Sequence, residues 1–131
     1  MDKRVAAVII KDNKILLMRR FKNGQKYFVF PGGGVEENES IENALIREIK
    51  EEFDIDIKIE KLLFQNENQG RQEIYFLVKE FTGIPQLSGE EKERMNKDNQ
   101  YFPAWLDLKE AFKLPNLYPK EAKKEIEKLI E

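Results

Sequence analysis

Residues 32–55 constrain the fold more than any other stretch, because a glycine triplet runs there into an acidic helical pattern. At about 100° per residue, one apolar stripe of the predicted helix consists of Ile41, Ala44, Leu45 and Ile49, with Phe53 at its edge. Glu48 and Glu52 project from the same sector, and Glu51 lies beside it. Burying carboxylates is costly unless they are paired. Since Arg47 cannot pair with all three, the pattern favours divalent cations as partners.

The composition limits the chemistry open to the chain. Its 131 residues suit one domain, residues 1–131, and a net charge of -2 argues against broad binding to nucleic acid or an anionic membrane. The absence of Cys and His excludes thiolate zinc sites and imidazole bases. The longest apolar run, residues 5–10, is too short to span a bilayer, and there is no signal-peptide layout. We therefore expect a cytoplasmic protein.

The order of predicted elements indicates an α+β domain. Strands are predicted at residues 4–10, 15–20, 27–30, 55–59, 73–79 and 102–106. Helices are predicted from the Ser40 cap to about Phe53, from the Asp107 cap to about Lys113, and over residues 120–131. Residues 88–100 are interpreted as a long polar loop, one helical turn within it being an alternative. We expect an α/β/α sandwich with a mixed β-sheet.

The central stretch resembles the Nudix box, the signature of hydrolases that cleave nucleoside diphosphates linked to another moiety. The matching residues are Gly33, Glu39, Arg47, Glu48, Ile49, Glu51, Glu52 and Ile55. Asp54 stands where the pattern has Gly, and is the one departure within the box. The resemblance implies a Nudix-like fold, with the box helix and the C-terminal helices flanking the sheet, and a supporting role for Glu39 at the loop–helix junction.

The resemblance also implies a metal centre. Glu51 and Glu52 would be the principal ligands of Mg²⁺ or Mn²⁺, with Glu48 as a further ligand or base and the Gly32 carbonyl as another oxygen. Arg47 would hold Glu48 or a neighbour in place. Hard cations take carboxylate and carbonyl oxygens, and residues spaced i, i+3 and i+4 lie on one helix face, so the physical chemistry agrees. The plain alternative is a solvated acidic face stabilised by ion pairs along the helix.

Candidates for substrate binding follow from position. Arg19 and Arg20 end a strand near where phosphates would lie, although strand-end arginines are more often surface residues. Tyr27 and Phe28 could stack on a base, although aromatic residues in strands usually belong to the core. Gly33 would let the backbone approach the metal or the phosphates without a Cβ clash.

The polar segment 88–100 supplies one more candidate. The family often draws a further catalytic carboxylate from a loop in this region, and Glu91 is our choice because Gly89 permits a bend before it. Glu90 and Glu93 are alternative candidates. The simplest alternative is that all these acidic side chains are only solvated and have no catalytic role.

We expect Mg²⁺-dependent hydrolysis of a nucleoside diphosphate linked to another moiety. Some subfamilies carry a marker after the box, a Pro in the ADP-ribose type and a Tyr in the dinucleoside-polyphosphate type; residues 69–73 contain neither, which favours a nucleoside triphosphate or damaged dNTP. The alternatives are those two substrates, or a module that binds nucleotides without hydrolysis. The expected partner is a small nucleotide, with no extended nucleic acid and no membrane; the oligomeric state is open, a homodimer included.

Overall fold

The computed structural model describes residues 2–87 and 95–130. Its strands are β1 (Asp2–Val8), β2 (Ile10–Lys11), β3 (Lys14–Lys22), β4 (Gln25–Val29), β5 (Gly32–Gly34), β6 (Asp56–Asn68), β7 (Arg71–Thr82), β8 (Asn99–Asp107) and β9 (Leu117–Tyr118). Its helices are α1 (Ile41–Phe53), α2 (Leu108–Lys113) and α3 (Lys120–Ile130). The described residues contain no helix that is long and apolar enough to cross a membrane.

The strands form two mixed sheets. The first has the order β5-β1-β7-β6, in which β1 and β7 are parallel and the other pairs antiparallel. The second has the order β2-β3-β4-β9, and β8 pairs with β3 along its length. The expected α+β architecture with mixed strand directions is confirmed, with the strands divided between two sheets.

Two-residue turns make the hairpins longer than the sequence predicts. Both central residues have positive φ in three turns, at Asp12-Asn13 (52° and 63°), Asn23-Gly24 (50° and 82°) and Gln69-Gly70 (53° and 77°). This geometry matches the twist of the flanking strands, so pairing continues up to the turn. The second turn therefore joins β3 directly to β4.

The glycine triplet forms strand β5, where no strand is predicted from the sequence. It pairs antiparallel with β1, and a Cβ at Gly32 would overlap the Val5 carbonyl oxygen and lie 2.7 Å from the Ala6 Cα. Glycine is a poor strand former in general. Here it is required because two backbones approach closely.

The core lies on both faces of β1, as its continuous apolar sequence predicts. Val5 and Ala7 belong to the cluster that includes the buried residues of α1, whereas Ala6 and Val8 belong to the cluster with α2 and α3. Helices therefore cover the strands on two sides, and the expected α/β/α sandwich is confirmed.

The predicted loop at residues 88–100 is only partly described. Residues 88–94 lie outside the described residues, and Asn96 pairs with Asn99 in a short turn at the start of β8. The last two residues of the predicted loop, 99 and 100, belong to β8.

Candidate active site

Helix α1 begins and ends as its sequence predicts. The Ser40 side-chain oxygen accepts a hydrogen bond from the Asn43 N–H at 3.1 Å, which stabilises the first turn. Asp54 ends the helix in the left-handed conformation, with φ 56° and ψ 40°. Burial of Ala44, Leu45 and Ile49 in the core fixes the rotation of the helix against the sheet, and hence the direction of its acidic side chains.

The three box glutamates differ strongly in exposure. Glu52 is buried with the apolar face of α1, at 7% exposure, whereas the Glu48 side chain is 19% exposed and that of Glu51 is 57% exposed. The acidic sector predicted for the helix therefore runs from the core outwards to solvent.

Arg47 connects this sector to the preceding loop. Its Nε and Nη2 donate to the two Glu39 carboxylate oxygens at 2.7 Å and 2.9 Å. Its Nη1 donates to Glu48 at 3.0 Å and to Glu51 at 3.3 Å, and Nη2 also donates to the Gly34 carbonyl at 3.1 Å. One guanidinium thus ties the glycine strand, the loop and the helix together.

Glu39 is held in its charged form by these contacts. The hydrogen bond from Arg47, followed by the Glu36 backbone N–H, lowers the pKa of Glu39 from 4.5 to about 2. In return, Glu39 and then Glu48 raise the pKa of Arg47 above its already high value, against the desolvation that lowers it.

Gly33 makes room for Glu48. A Cβ at position 33 would overlap the Glu48 carboxylate, which lies against the bare α-carbon. Glu48 is therefore confined between the glycine strand on one side and Arg47 on the other.

Glu52 lines a cavity of about 200 Å³ between α1 and the sheets. The cavity is also lined by Gly32, Arg4, Arg20 and Tyr101. The buried carboxylate thus meets a small pocket that two cationic side chains also reach.

A larger cavity, of about 550 Å³, adjoins the first and shares Arg4 and Arg20 with it. Its aromatic lining comes from Tyr27, Phe30, Tyr75 and Tyr118. Its charged lining consists of Arg4, Arg20, Arg71, Lys120 and Glu73, four cations against one carboxylate. We refer to the two adjoining cavities as the cleft.

Arg20 is fixed at the junction of the two cavities by aromatic rings. Its guanidinium lies 4.3 Å from the Tyr101 ring centre and 5.6 Å from that of Tyr27, and Nη2 donates to Asn99 at 3.3 Å. Its buried Nε has no hydrogen-bond partner among the described residues. The cation is therefore positioned by its neighbours and keeps a donor for a ligand.

The structure brings together some of the predicted site residues and separates others. Glu52, Gly32, Arg20 and Tyr27 line the cleft. Glu48 and Glu51 are not among the lining residues and accept hydrogen bonds from Arg47. Gly33 lies against the Glu48 carboxylate. Glu91 lies outside the described residues.

Arg19 and Phe28 are not among the lining residues of the cleft, so their part in substrate binding stays a prediction from the sequence. Side chains alternate along a strand, so these two residues face the opposite side from Arg20 and Tyr27. Arg19 lies over the Phe102 ring at 5.1 Å, and Phe28 is buried in the second core cluster.

Sequence reasoning missed the cleft residues that come from distant strands and from the C-terminus. These are Arg4, Arg71, Glu73, Tyr118 and Lys120. The sequence does contain one signal that could have identified Glu73, because this acid lies directly before the apolar run 74–78 of a buried strand.

The glutamates of α1 carry the type of oxygen ligand that a hard cation prefers, but they are not already arranged around a metal position. Among the described residues, no group of three carboxylates lies close enough to hold a metal ion as it stands. Glu48 and Glu51 bind Arg47 here, yet they share a helix face with Glu52, and carboxylate oxygens are the ligands that Mg²⁺ prefers.

Known proteins resemble parts of this chain. The ADP-ribose pyrophosphatase of Methanocaldococcus jannaschii is 50% identical over 60 residues, which cover 45% of this chain and 36% of the relative. The CTP pyrophosphohydrolase of Escherichia coli is 39% identical over 71 residues, covering 51% of this chain and 53% of the relative. The chain thus spans less than two thirds of the length of these curated relatives.

The whole fold has counterparts as well. The solution structure of the E. coli ORF135 protein covers 99% of this chain and 91% of its own, with 30% identity and a TM-score of 0.76. The model of the NUDIX domain matches residues 1–129. The chain therefore belongs to the Nudix hydrolase family.

Proposed function

We propose that this protein hydrolyses a diphosphate bond of a small nucleotide, a nucleoside triphosphate in the first instance, with Mg²⁺ or Mn²⁺. The observation that carries the proposal is the continuity of the cleft. The buried box carboxylate Glu52 lines one end, and the cationic, aromatic cavity forms the other. The match over residues 1–129 supports a single catalytic domain.

The charges of the cleft favour an anionic ligand. Arg4, Arg20, Arg71 and Lys120 outweigh the single carboxylate of Glu73 among the described lining residues. Guanidinium groups match phosphate oxygens in geometry and keep their charge when desolvated. Arg20 and Arg4 line both cavities, so they are the residues we assign to the phosphates next to Glu52.

The aromatic lining suits a nucleobase. The rings of Tyr27 and Tyr118 lie 6.1 Å apart at a steep angle, and Tyr118 is 40% exposed. Such rings offer apolar faces for stacking together with polar edges. A cavity of about 550 Å³ also lies within the range of small-molecule sites.

We assign the metal site to the oxygens of Glu52 and Glu51, with Glu48 as a further ligand or as the base and the Gly32 carbonyl as a further donor. When bound, the divalent cation supplies charge neutralisation at the phosphates and lowers the pKa of an attacking water. Arg47 keeps Glu48 and Glu51 oriented through its hydrogen bonds. Glu48, or Glu91 from the loop, accepts the proton of the water.

The relatives' names leave several nucleotide classes open. One is named for ADP-ribose and another for CTP. The region after the box carries neither the Pro nor the Tyr of the ADP-ribose and dinucleoside-polyphosphate types, which supports nucleoside triphosphates as the first class to test.

The test is a nucleotide panel with and without Mg²⁺. It contains the common NTPs and dNTPs, oxidised dGTP, ADP-ribose and a dinucleoside polyphosphate, and products are separated by chromatography. We expect metal-dependent conversion of at least one triphosphate to a nucleotide of fewer phosphates. Faster cleavage of ADP-ribose than of every triphosphate would contradict the proposed substrate class and indicate ADP-ribose instead.

The rival function is binding without hydrolysis. All three box glutamates are present, and a protein that only binds nucleotides does not need them. Nucleotide binding that is tight but unaccompanied by turnover at any divalent metal would favour this rival.

A further inference from the structure

Glu73 is a buried carboxylate within the larger cavity. It lies on β7 with 3% exposure. Its Oε2 accepts a hydrogen bond from Arg71 Nη2 at 3.1 Å, whereas its buried Oε1 has no hydrogen-bond partner among the described residues. A buried carboxylate oxygen without a donor is costly. Glu73 therefore brings one buried acceptor oxygen to the wall of the larger cavity.

The strand register places Glu73 in the wall of the larger cavity. Glu73 is the cross-strand partner of Arg4 on β1 and of Asn66 on β6, and two residues along β7 the side chain of Tyr75 lies on the same face. Arg4, Glu73 and Tyr75 all line the larger cavity. The Glu73 carboxylate thus belongs to a row of polar groups across the cavity wall.

Two neighbouring side chains, Arg71 and Tyr75, interact with the Glu73 carboxylate. Burial, and then the charge of Glu73, raise the pKa of Tyr75 above its ordinary value, so its hydroxyl stays protonated. That hydroxyl also interacts with the Glu73 carboxylate. It is uncharged, and Arg71 already occupies the other oxygen.

We propose that Glu73 selects nucleobases that carry an exocyclic amino group, an inference that rests on the proposed nucleotide site. An amino group donates N–H to the open Oε1. A carbonyl oxygen at the same ring position would face the carboxylate with two acceptors and no proton between them. Sites built around a buried polar group discriminate strongly against ligands that leave it unpaired.

The substitution Glu73→Gln replaces a hydrogen-bond acceptor with a donor at this position. Arg71 is a donor and takes the amide oxygen, so the amide NH₂ stands where Oε1 stood. That position then donates and favours a carbonyl. Cytosine and uracil differ in this respect, with an amino group in one and a carbonyl in the other, and are the matched ligand pair.

The experiment measures the Kd of α,β-methylene CTP and α,β-methylene UTP by calorimetry, with Mg²⁺ and with intact ligand confirmed by chromatography. Wild type is expected to bind the cytosine analogue about tenfold or more tightly, the scale of one buried hydrogen bond. Glu73→Gln is expected to bring that ratio to one or below. The control is Glu80→Gln, the same change on the same strand at an exposed residue paired with Lys58, which is expected to keep the wild-type ratio.

Two results overturn the inference: equal affinity of wild type for both analogues, or a ratio in Glu73→Gln that equals that of Glu80→Gln. The wild-type ratio decides the matter if Glu73→Gln fails to fold. Because the readout is affinity, it is separate from catalysis. Absence of hydrolysis of cleavable nucleotides would contradict the proposed function and leave the affinity ratios to be judged on their own.

Discussion

The Glu48 carboxylate lies against the α-carbon of Gly33, where a Cβ would overlap one carboxylate oxygen and stand 2.7 Å from the other. Gly33 thus leaves room for the Glu48 carboxylate inside the protein. This steric role is separate from the predicted one, in which Gly33 lets the backbone approach the metal or the phosphates. It sets the distance between strand β5 and the acidic face of α1.

Gly33→Ala is expected to displace Glu48 and to lower kcat by about tenfold to a hundredfold, because small misplacements of catalytic groups are costly. Stability should fall by only about 1 kcal/mol, since the end of a flexible side chain can move aside. Gly34→Ala is the matched control, because a Cβ there would come no closer than 4.0 Å to the Lys3 carbonyl. Equal activity of the two variants would show that Glu48 needs no fixed position.

The pairing of Glu39 with Arg47 makes a testable contribution to acid stability. The pKa of Glu39 falls from 4.5 to about 2 in the folded protein, so the folded state resists its protonation. The stabilisation is complete above the unfolded pKa and is lost as the pH falls through the folded pKa. The difference in unfolding free energy between wild type and Glu39→Gln should therefore be constant above pH 4.5 and shrink towards pH 2.

Denaturant unfolding of both proteins across this range measures that difference. A difference that stays the same from neutral pH down to pH 2 would contradict the assignment, because it would mean that Glu39 contributes without its charge.

Asp54 occupies a conformation that suits the glycine of the family pattern. Its φ is 56°, and its carboxylate lies 3.3 Å from the Lys50 ammonium and 3.2 Å from the Gln86 amide nitrogen. Gly relieves backbone strain of about 1 kcal/mol, while removing this exposed carboxylate costs a similar amount, about 1 kcal/mol at most. Asp54→Gly should thus change stability by about 1 kcal/mol or less and retain turnover.

Asp54→Ala is the informative comparison, because it removes the same carboxylate and keeps the backbone strain. It should unfold at lower denaturant than Asp54→Gly. The reverse order would mean that the left-handed conformation costs nothing here, and a loss of activity in both would place Asp54 within the site.

Helix α1 and its acidic face could be predicted because the signals are local. The Ser40 cap, the apolar stripe and the left-handed Asp54 all lie within fifteen residues of one another. Periodicity placed Glu48 and Glu52 in the apolar sector of the helix. Glu52 is buried, whereas the Glu48 side chain is 19% exposed.

The rest of the cleft could not be predicted because it is assembled by pairing between distant strands. Arg4 meets Glu73 only because β1 and β7 are parallel neighbours, and no local pattern specifies that register. Lys120 arrives from the C-terminal helix. The face of Arg19 and Phe28 was also undetermined, since a strand buried on both sides gives no alternation to read.

Glu91 is a prediction from the sequence alone. Glu91→Gln should lower kcat by about a hundredfold if this carboxylate accepts the proton of the attacking water. Glu90→Gln and Glu93→Gln test the two alternative candidates in the same way. Unaltered turnover in all three variants would leave Glu48 as the base.

The most direct test of the metal site compares Glu52→Gln with Glu42→Gln, the latter an exposed acid in the first turn of the same helix. Mg²⁺-dependent turnover and Mn²⁺ affinity, the latter from electron paramagnetic resonance, are measured on both variants after circular dichroism confirms folding. Glu52→Gln should reduce turnover by about a hundredfold or more and bind Mn²⁺ more weakly, because one hard ligand is removed, while Glu42→Gln behaves as wild type. Near-normal turnover in Glu52→Gln would contradict the claim that the buried glutamate of the cleft is the metal ligand.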